Sequence, residues 1–200
     1  MASFTLKRKT LRHSLAVRLL HWILVPVLLV KILSGLYLNR PHRFTGFRSM
    51  NSARKAHFYV IYLFVFHYLA RAYYSLVTRD YKYIFPARGD FGPKGRQFIL
   101  YELFLKRKKP QFIKYNPLQK LIFTGWALTF PLQMITGFIL YDPKRFQRLI
   151  RPLGGLNRIR QVHYIATLGI ASTAAGHLYF ALTESKEKLK SIFTGYYRKE

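Results

Sequence analysis

Four long apolar stretches, separated by polar and basic connections, divide this chain. They are residues 15–38 (LAVRLLHWILVPVLLVKILSGLYL), 53–77, 117–141 and 159–183. Each is long enough to cross a hydrocarbon layer, which takes about 20 helical residues, and together they predict an all-α, four-helix transmembrane bundle. None is uniformly apolar: the first holds Arg18, His21 and Lys31, with Pro26 placed to kink it, and the third has Pro131 inside. The connections carry turn residues, among them Pro41, Gly46, Pro86, Gly92, Pro143 and Gly154. Within the longest, RQFILYELFLKRKK (96–109) reads as an amphipathic interfacial helix. Residues 1–14 and 184–200 read as polar tails. A basic N-terminus before an apolar run resembles a signal peptide. The run is too long and lacks a small-residue cleavage site, so it reads as a retained signal anchor. Residues 1–200 read as one membrane domain.

Composition narrows the class. Half of the residues are hydrophobic and 17% aromatic, yet the net charge is +27. Apolar spans with basic connections reconcile the two. A nucleic-acid binder would instead gather its charge into one stripe. Lys and Arg number 22 in residues 1–18, 71–120 and 184–200, against 11 in residues 39–55 and 142–160. The positive-inside rule therefore predicts both termini in the cytoplasm. With no cysteine, iron–sulfur clusters and covalently attached haem are excluded, and any redox cofactor must be held by His or Met.

The candidate chemistry lies in His163 and His177. Fourteen residues apart, they share a helix face to within roughly 40° and stand roughly 21 Å apart along the axis. Small residues such as Ala166, Gly169, Ala174 and Gly176 separate them, which suits one helix carrying two flat ligands, read here as haems, at two depths. The direction of each span then matches His57 with His163 at the outer level and His21 with His177 at the inner level. Two facing imidazoles at one depth are what a six-coordinate b-type haem requires.

The same fourteen-residue step joins His21 to Gly35, where a glycine would let backbone approach a porphyrin. It also joins His57 to Arg71, where a guanidinium would meet a haem propionate. Arg18, one turn from His21, is a second propionate candidate. Both arginines also read as flanking positive charge. Lys31 would meet an outer propionate or snorkel to the interface. His67 reads as structural, and His42 and His13 as solvated or propionate-adjacent. Ser34-Gly35-Leu36 and Thr136-Gly137-Phe138 form a faint repeat. A haem-free anchor with hydrogen-bonded interior histidines, and a transmembrane reductase that shuttles electrons without a large partner, are the rival readings.

The stretches VRLLHW, RKAHF through YLARAYY, KYNPLQK through TGFILY, and VHY through GHLYFAL resemble the b-type cytochrome subunit of membrane-bound nickel–iron hydrogenases. That family is related to the cytochrome b subunit of formate dehydrogenase, which the residues resemble almost as well. The resemblance implies two haems b on His21, His57, His163 and His177 in a prokaryotic cell membrane. It implies partners on the outer face, an iron–sulfur subunit and a catalytic large subunit, with substrate catalysis on the partner chain. It further implies transfer to a quinone, menaquinone or ubiquinone, near Asn116 and His177. The glycine that the formate dehydrogenase relatives carry in that stretch is replaced here by Leu118, following Pro117.

Overall fold

The computed structural model of the chain describes residues 9–112 and 114–198. Four helices are long and apolar enough to cross a membrane, and local chemistry sets their ends. Helix α1 (Leu15–Asn39) starts where the Ser14 hydroxyl accepts the Val17 N–H, and ends at Arg40, held extended before Pro41. Helix α2 (Met50–Val77) is capped by Ser49. After it come a short helix α3 (Tyr81–Ile84), a 3-10 turn and helix α4 (Pro93–Glu102). Helix α5 (Pro117–Tyr141) opens on a capping box, in which Asn116 and Gln119 satisfy each other's backbone N–H, with Pro117 at the first helical position. Short α6 (Gln147–Ile150) precedes helix α7 (Gly155–Thr183). Helices α1 and α5 run on through Pro26 and Pro131.

Two spans start earlier than their apolar pattern predicts, at Met50 rather than 53 and at Gly155 rather than 159. The added turns are polar (Asn51, Ser52, Asn157, Arg158) and carry no apolar periodicity. The segment expected at 96–109 is helical only over 93–102. It stops at Leu103, after which Phe104 takes φ 61° and a run of four basic residues leads to Pro110. It is anchored as well as amphipathic: Phe98 is fully buried, with Phe112 and Phe180 5.5 and 6.4 Å away.

Helix α1 packs mainly on α2, and α5 mainly on α7; α1 also meets α7. The core takes one buried residue from each span: Val27, Phe64, Phe130 and Ile170. Phe64 and Phe130 meet edge to face at 5.1 Å. Outside, Tyr62, Leu128 and Ile165 are largely exposed, the apolar girdle that lipid would cover.

The polar tails are ordered where they are described. Helix α8 (Lys186–Thr194), capped by Ser185, returns to the start of α1. There Trp22 donates to the Ile192 carbonyl at 3.3 Å and packs its ring 4.7 Å from Phe193. Strand β1 (Lys9–Leu11) pairs antiparallel with β2 (Tyr196–Arg198), Lys9 opposite Arg198 and Leu11 opposite Tyr196. Residues 9–11 and 196–198 therefore lie at one end of the bundle, designated the inner end after the positive-inside expectation; the opposite end is designated the outer.

Candidate functional site

At the outer end His57 on α2 faces His163 on α7, with ring centres 6.5 Å apart and planes inclined by 65°. At the inner end His21 on α1 faces His177 on α7, at 6.3 Å and 51°. The two pairs expected from helix direction and depth are thus the two pairs brought together.

The outer rings are held by hydroxyls. Ser34 Oγ lies 2.9 Å from His57 Nδ1, and Thr136 Oγ1 lies 2.7 Å from His163 Nδ1. Each hydroxyl donates its own proton back along its helix, Ser34 to the Val30 carbonyl at 2.5 Å and Thr136 to the Leu132 carbonyl at 2.7 Å. A hydroxyl has one proton to give, so its oxygen accepts from the imidazole, Nδ1 carries hydrogen, and Nε2 keeps its lone pair. One turn earlier the polar residues repeat. Lys31 Nζ donates to the His57 carbonyl at 3.3 Å, and Gln133 Nε2 to the His163 carbonyl at 2.9 Å and to Thr167 at 2.7 Å. One residue later a Cβ on Gly35 would sit 3.5 Å from His57 Cε1, and one on Gly137 3.4 Å from His163 Cε1. A cleft lies here, lined by Lys31, His57, Phe64, Gln133, His163 and Thr167 among others. Lys31 does not snorkel: it turns back into this cleft.

The inner level is bound differently. His177 stands 5.5 Å from both Phe123 and Trp126, and the Trp126 indole donates to Thr173 at 2.8 Å. Nδ1 of His21 and of His177 is buried without a hydrogen-bond partner, as is Nδ1 of His67. Arg18 donates one nitrogen to the Phe193 carbonyl, closing the turn after α8, and its Nε has no partner. Arg71 pairs with Asp80 at 2.6 Å and keeps Nη1 buried and unpartnered. Asn116 is fully buried; its oxygen caps α5 and its amide donates to Glu184 at 3.2 Å.

His13, expected to be solvated, is buried 6.2 Å from the Tyr115 ring. Burial, with Arg12 and Lys114 nearby, pushes its pKa down to about 3. Asp80 joins Arg71 to Lys114, the latter at 2.8 Å, and Arg12 reaches the Lys114 carbonyl. Burial and the Asp80 carboxylate push the Tyr115 phenol up to about 12. His42 is exposed and stacked on Phe44. Sequence reasoning missed Ser34, Thr136, Gln133 and Thr167 as site residues. The faint Ser-Gly and Thr-Gly repeat was the signal for the first two.

A haem iron between two imidazoles takes a metal–nitrogen bond of about 2 Å on each side, which puts the ring centres roughly 6 Å apart. Both separations fit. Each level offers two nitrogen donors, and among the described residues no group of three or more His, Cys, Asp or Glu is placed to hold a bare metal ion. Two donors suit an iron whose other four positions a porphyrin fills. The unpartnered Nη1 of Arg71 and Nε of Arg18 suit carboxylates at the inner level.

Comparison with known proteins identifies the family. The prokaryotic cytochrome b561 family matches residues 12–195. The probable Ni/Fe-hydrogenase 1 B-type cytochrome subunit of Escherichia coli (strain K12) is 26% identical over 188 residues, covering 84% of this chain and 80% of that protein. The probable Ni/Fe-hydrogenase B-type cytochrome subunit of Bradyrhizobium diazoefficiens is 24% identical over 197 residues, covering 89% and 80%. The chain belongs to the prokaryotic cytochrome b561 family, and it is a multi-pass b-type cytochrome of the cell membrane.

Proposed function

We propose that this cytochrome is the dihaem membrane subunit of a respiratory oxidoreductase, a nickel–iron hydrogenase. In this reading it takes electrons at its outer level from an iron–sulfur partner subunit and delivers them at its inner level to a quinone. The observation that carries the reading is the facing of His57 on His163 and of His21 on His177, 6.5 and 6.3 Å between ring centres at two depths of one bundle. The names of the bacterial relatives support the hydrogenase partner.

Each haem, when bound, supplies a one-electron redox centre. His57 and His163 would hold the outer one, their Nε2 lone pairs left free by the Nδ1 bonds, and His21 and His177 would hold the inner one. Lys31 and Gln133 tie the backbone carbonyls of the outer ligands, so both rings stay at one depth. Gly35 and Gly137 keep the helix faces beside the rings bare. Arg71 and Arg18 offer guanidinium nitrogens to carboxylates at the inner level. Trp126, Phe123 and Phe130 exclude water between the levels. Asn116 contacts the quinone through the amide that otherwise donates to Glu184, an exchange that opens the start of α5 without unwinding it.

The test is spectroscopic. The purified complex should carry two low-spin haems per chain by pyridine haemochrome assay. His57→Ala or His163→Ala should remove one of them, and His21→Ala or His177→Ala the other. Hydrogen should reduce both haems in the intact complex, and a naphthoquinone analogue should reoxidise them. A colourless protein, or one haem surviving all four substitutions, would overturn the reading.

A further inference from the structure

The outer and inner histidines differ in one respect that distance does not show. Both outer imidazoles give their Nδ1 hydrogen to a hydroxyl; both inner ones have Nδ1 buried and unpartnered. The outer arrangement is built twice. On α1 the order is Lys31, Ser34, Gly35 against His57; on α5 it is Gln133, Thr136, Gly137 against His163. In each case the first residue holds the histidine carbonyl, the second its Nδ1, and the third leaves room at Cε1.

An acceptor on Nδ1–H makes an imidazole a stronger donor through Nε2. Here each acceptor is itself strengthened, because its own proton is committed to a backbone carbonyl and the two bonds polarise each other. Electron-rich ligands favour the oxidised metal. We infer that Ser34 and Thr136 are positioning residues for the outer haem, fixing both ligands as Nε2 donors and lowering that haem's midpoint potential. The inner haem, without such acceptors, is left the better electron acceptor, so the two hydroxyls bias transfer inward. This rests on the dihaem reading above.

The experiment is a potentiometric titration of the purified complex, followed optically and by EPR, with Ser34→Ala, Thr136→Val and both together. Ser34→Thr and Thr136→Ser, which keep a hydroxyl, are the controls. The expected result is that one of the two midpoints rises in each single variant and rises further in the double, while the other stays fixed. The low-spin EPR signal of the same haem should shift, and the hydroxyl-keeping variants should match the unaltered protein. If an alanine variant loses its haem, Ser34→Cys, which keeps the size and weakens the acceptor, should move the same midpoint the same way. Two bound haems with midpoints unmoved by loss of either hydroxyl would overturn the inference. Fewer than two haems in the unaltered protein would overturn the dihaem reading itself, and this shows in the same spectra before any variant is compared.

Discussion

Lys31 reaches from the middle of α1 to the carbonyl oxygen of His57, 3.3 Å away, and lines the cleft between the outer histidines. An ammonium inside a membrane span is costly unless something there uses it. Its counterpart on α5, Gln133, makes the matching bond to His163 without a charge. A cation beside a haem favours the reduced form, because reduction adds negative charge. At an effective dielectric of about 20, a unit charge within about 10 Å is worth on the order of 1–2 kcal/mol. Lys31→Met should therefore lower the midpoint of the haem that Ser34→Ala raises, while both haems stay bound. The same titration checks it.

The glycines at the outer level should show a size threshold. Gly35→Ala places a carbon at ordinary contact distance from His57 Cε1, and alanine in a helix gains about 0.5–1 kcal/mol over glycine. It should leave two haems per chain and raise thermal stability slightly. Gly35→Val adds two methyls against the ring and should cut haem content toward one per chain, with Gly137→Val doing the same from the other side. Haem-to-protein ratios measure both.

Gly195 closes the turn between α8 and β2 at φ 88°, and its carbonyl accepts from the backbone N–H groups of Arg12 and His13. A Cβ there would lie 2.9 Å from the His13 carbonyl oxygen. Gly195→Ala should cost about 1–2 kcal/mol in left-handed strain alone, with the backbone collision in addition. Hydrogen exchange should speed up in residues 9–13 and 196–198, while exchange in the core of α5 and α7 stays unchanged.

His13 gives the inner end a pH dependence of known sign. Its ordinary pKa is near 6.5, and in the folded chain it falls to about 3, through burial and through Arg12 and Lys114; Asp80 opposes the shift and His21 adds to it. Above about pH 6.5 the ring is neutral whether the chain is folded or not. As pH falls from there toward 3, the unfolded chain takes up a proton that the folded chain refuses, so stability declines. Melting in detergent should come at a lower temperature at pH 5 than at pH 7.5, and the difference should shrink in His13→Gln.

The four spans were legible in the sequence because apolar length is a strong signal, and the histidine pairs because helix direction converts residue number into depth. What failed to show was short or non-local. Strands of three residues carry no periodicity, and the partner of Lys9 stands at Arg198, almost a full chain length away. Helix α8 reads as a charged tail because Lys186, Glu187, Lys188 and Lys190 crowd it, although its return to Trp22 is apolar. The burial of His13 depends on that return. Asn116, read as a ligand contact by resemblance, is also a helix cap. The Asn-Pro-x-Gln pattern announced this by itself, and the two roles fall to different atoms of one side chain, the oxygen capping and the amide donating. The hydroxyls of Ser34 and Thr136 were visible as half of a repeat, but only their aim at Nδ1 gives the repeat chemical meaning.

The small ribbon of β1 and β2 governs more than two strands. While residues 9–11 stay paired with 196–198, the segment between them crosses the membrane an even number of times, so losing, gaining or inverting one span alone requires the ribbon to open. Slipping one helix out of the bundle would carry one terminus across the bilayer and tear the ribbon open. Three paired residues on each strand thus act as a parity check on the topology that keeps the two histidine pairs at their separate depths.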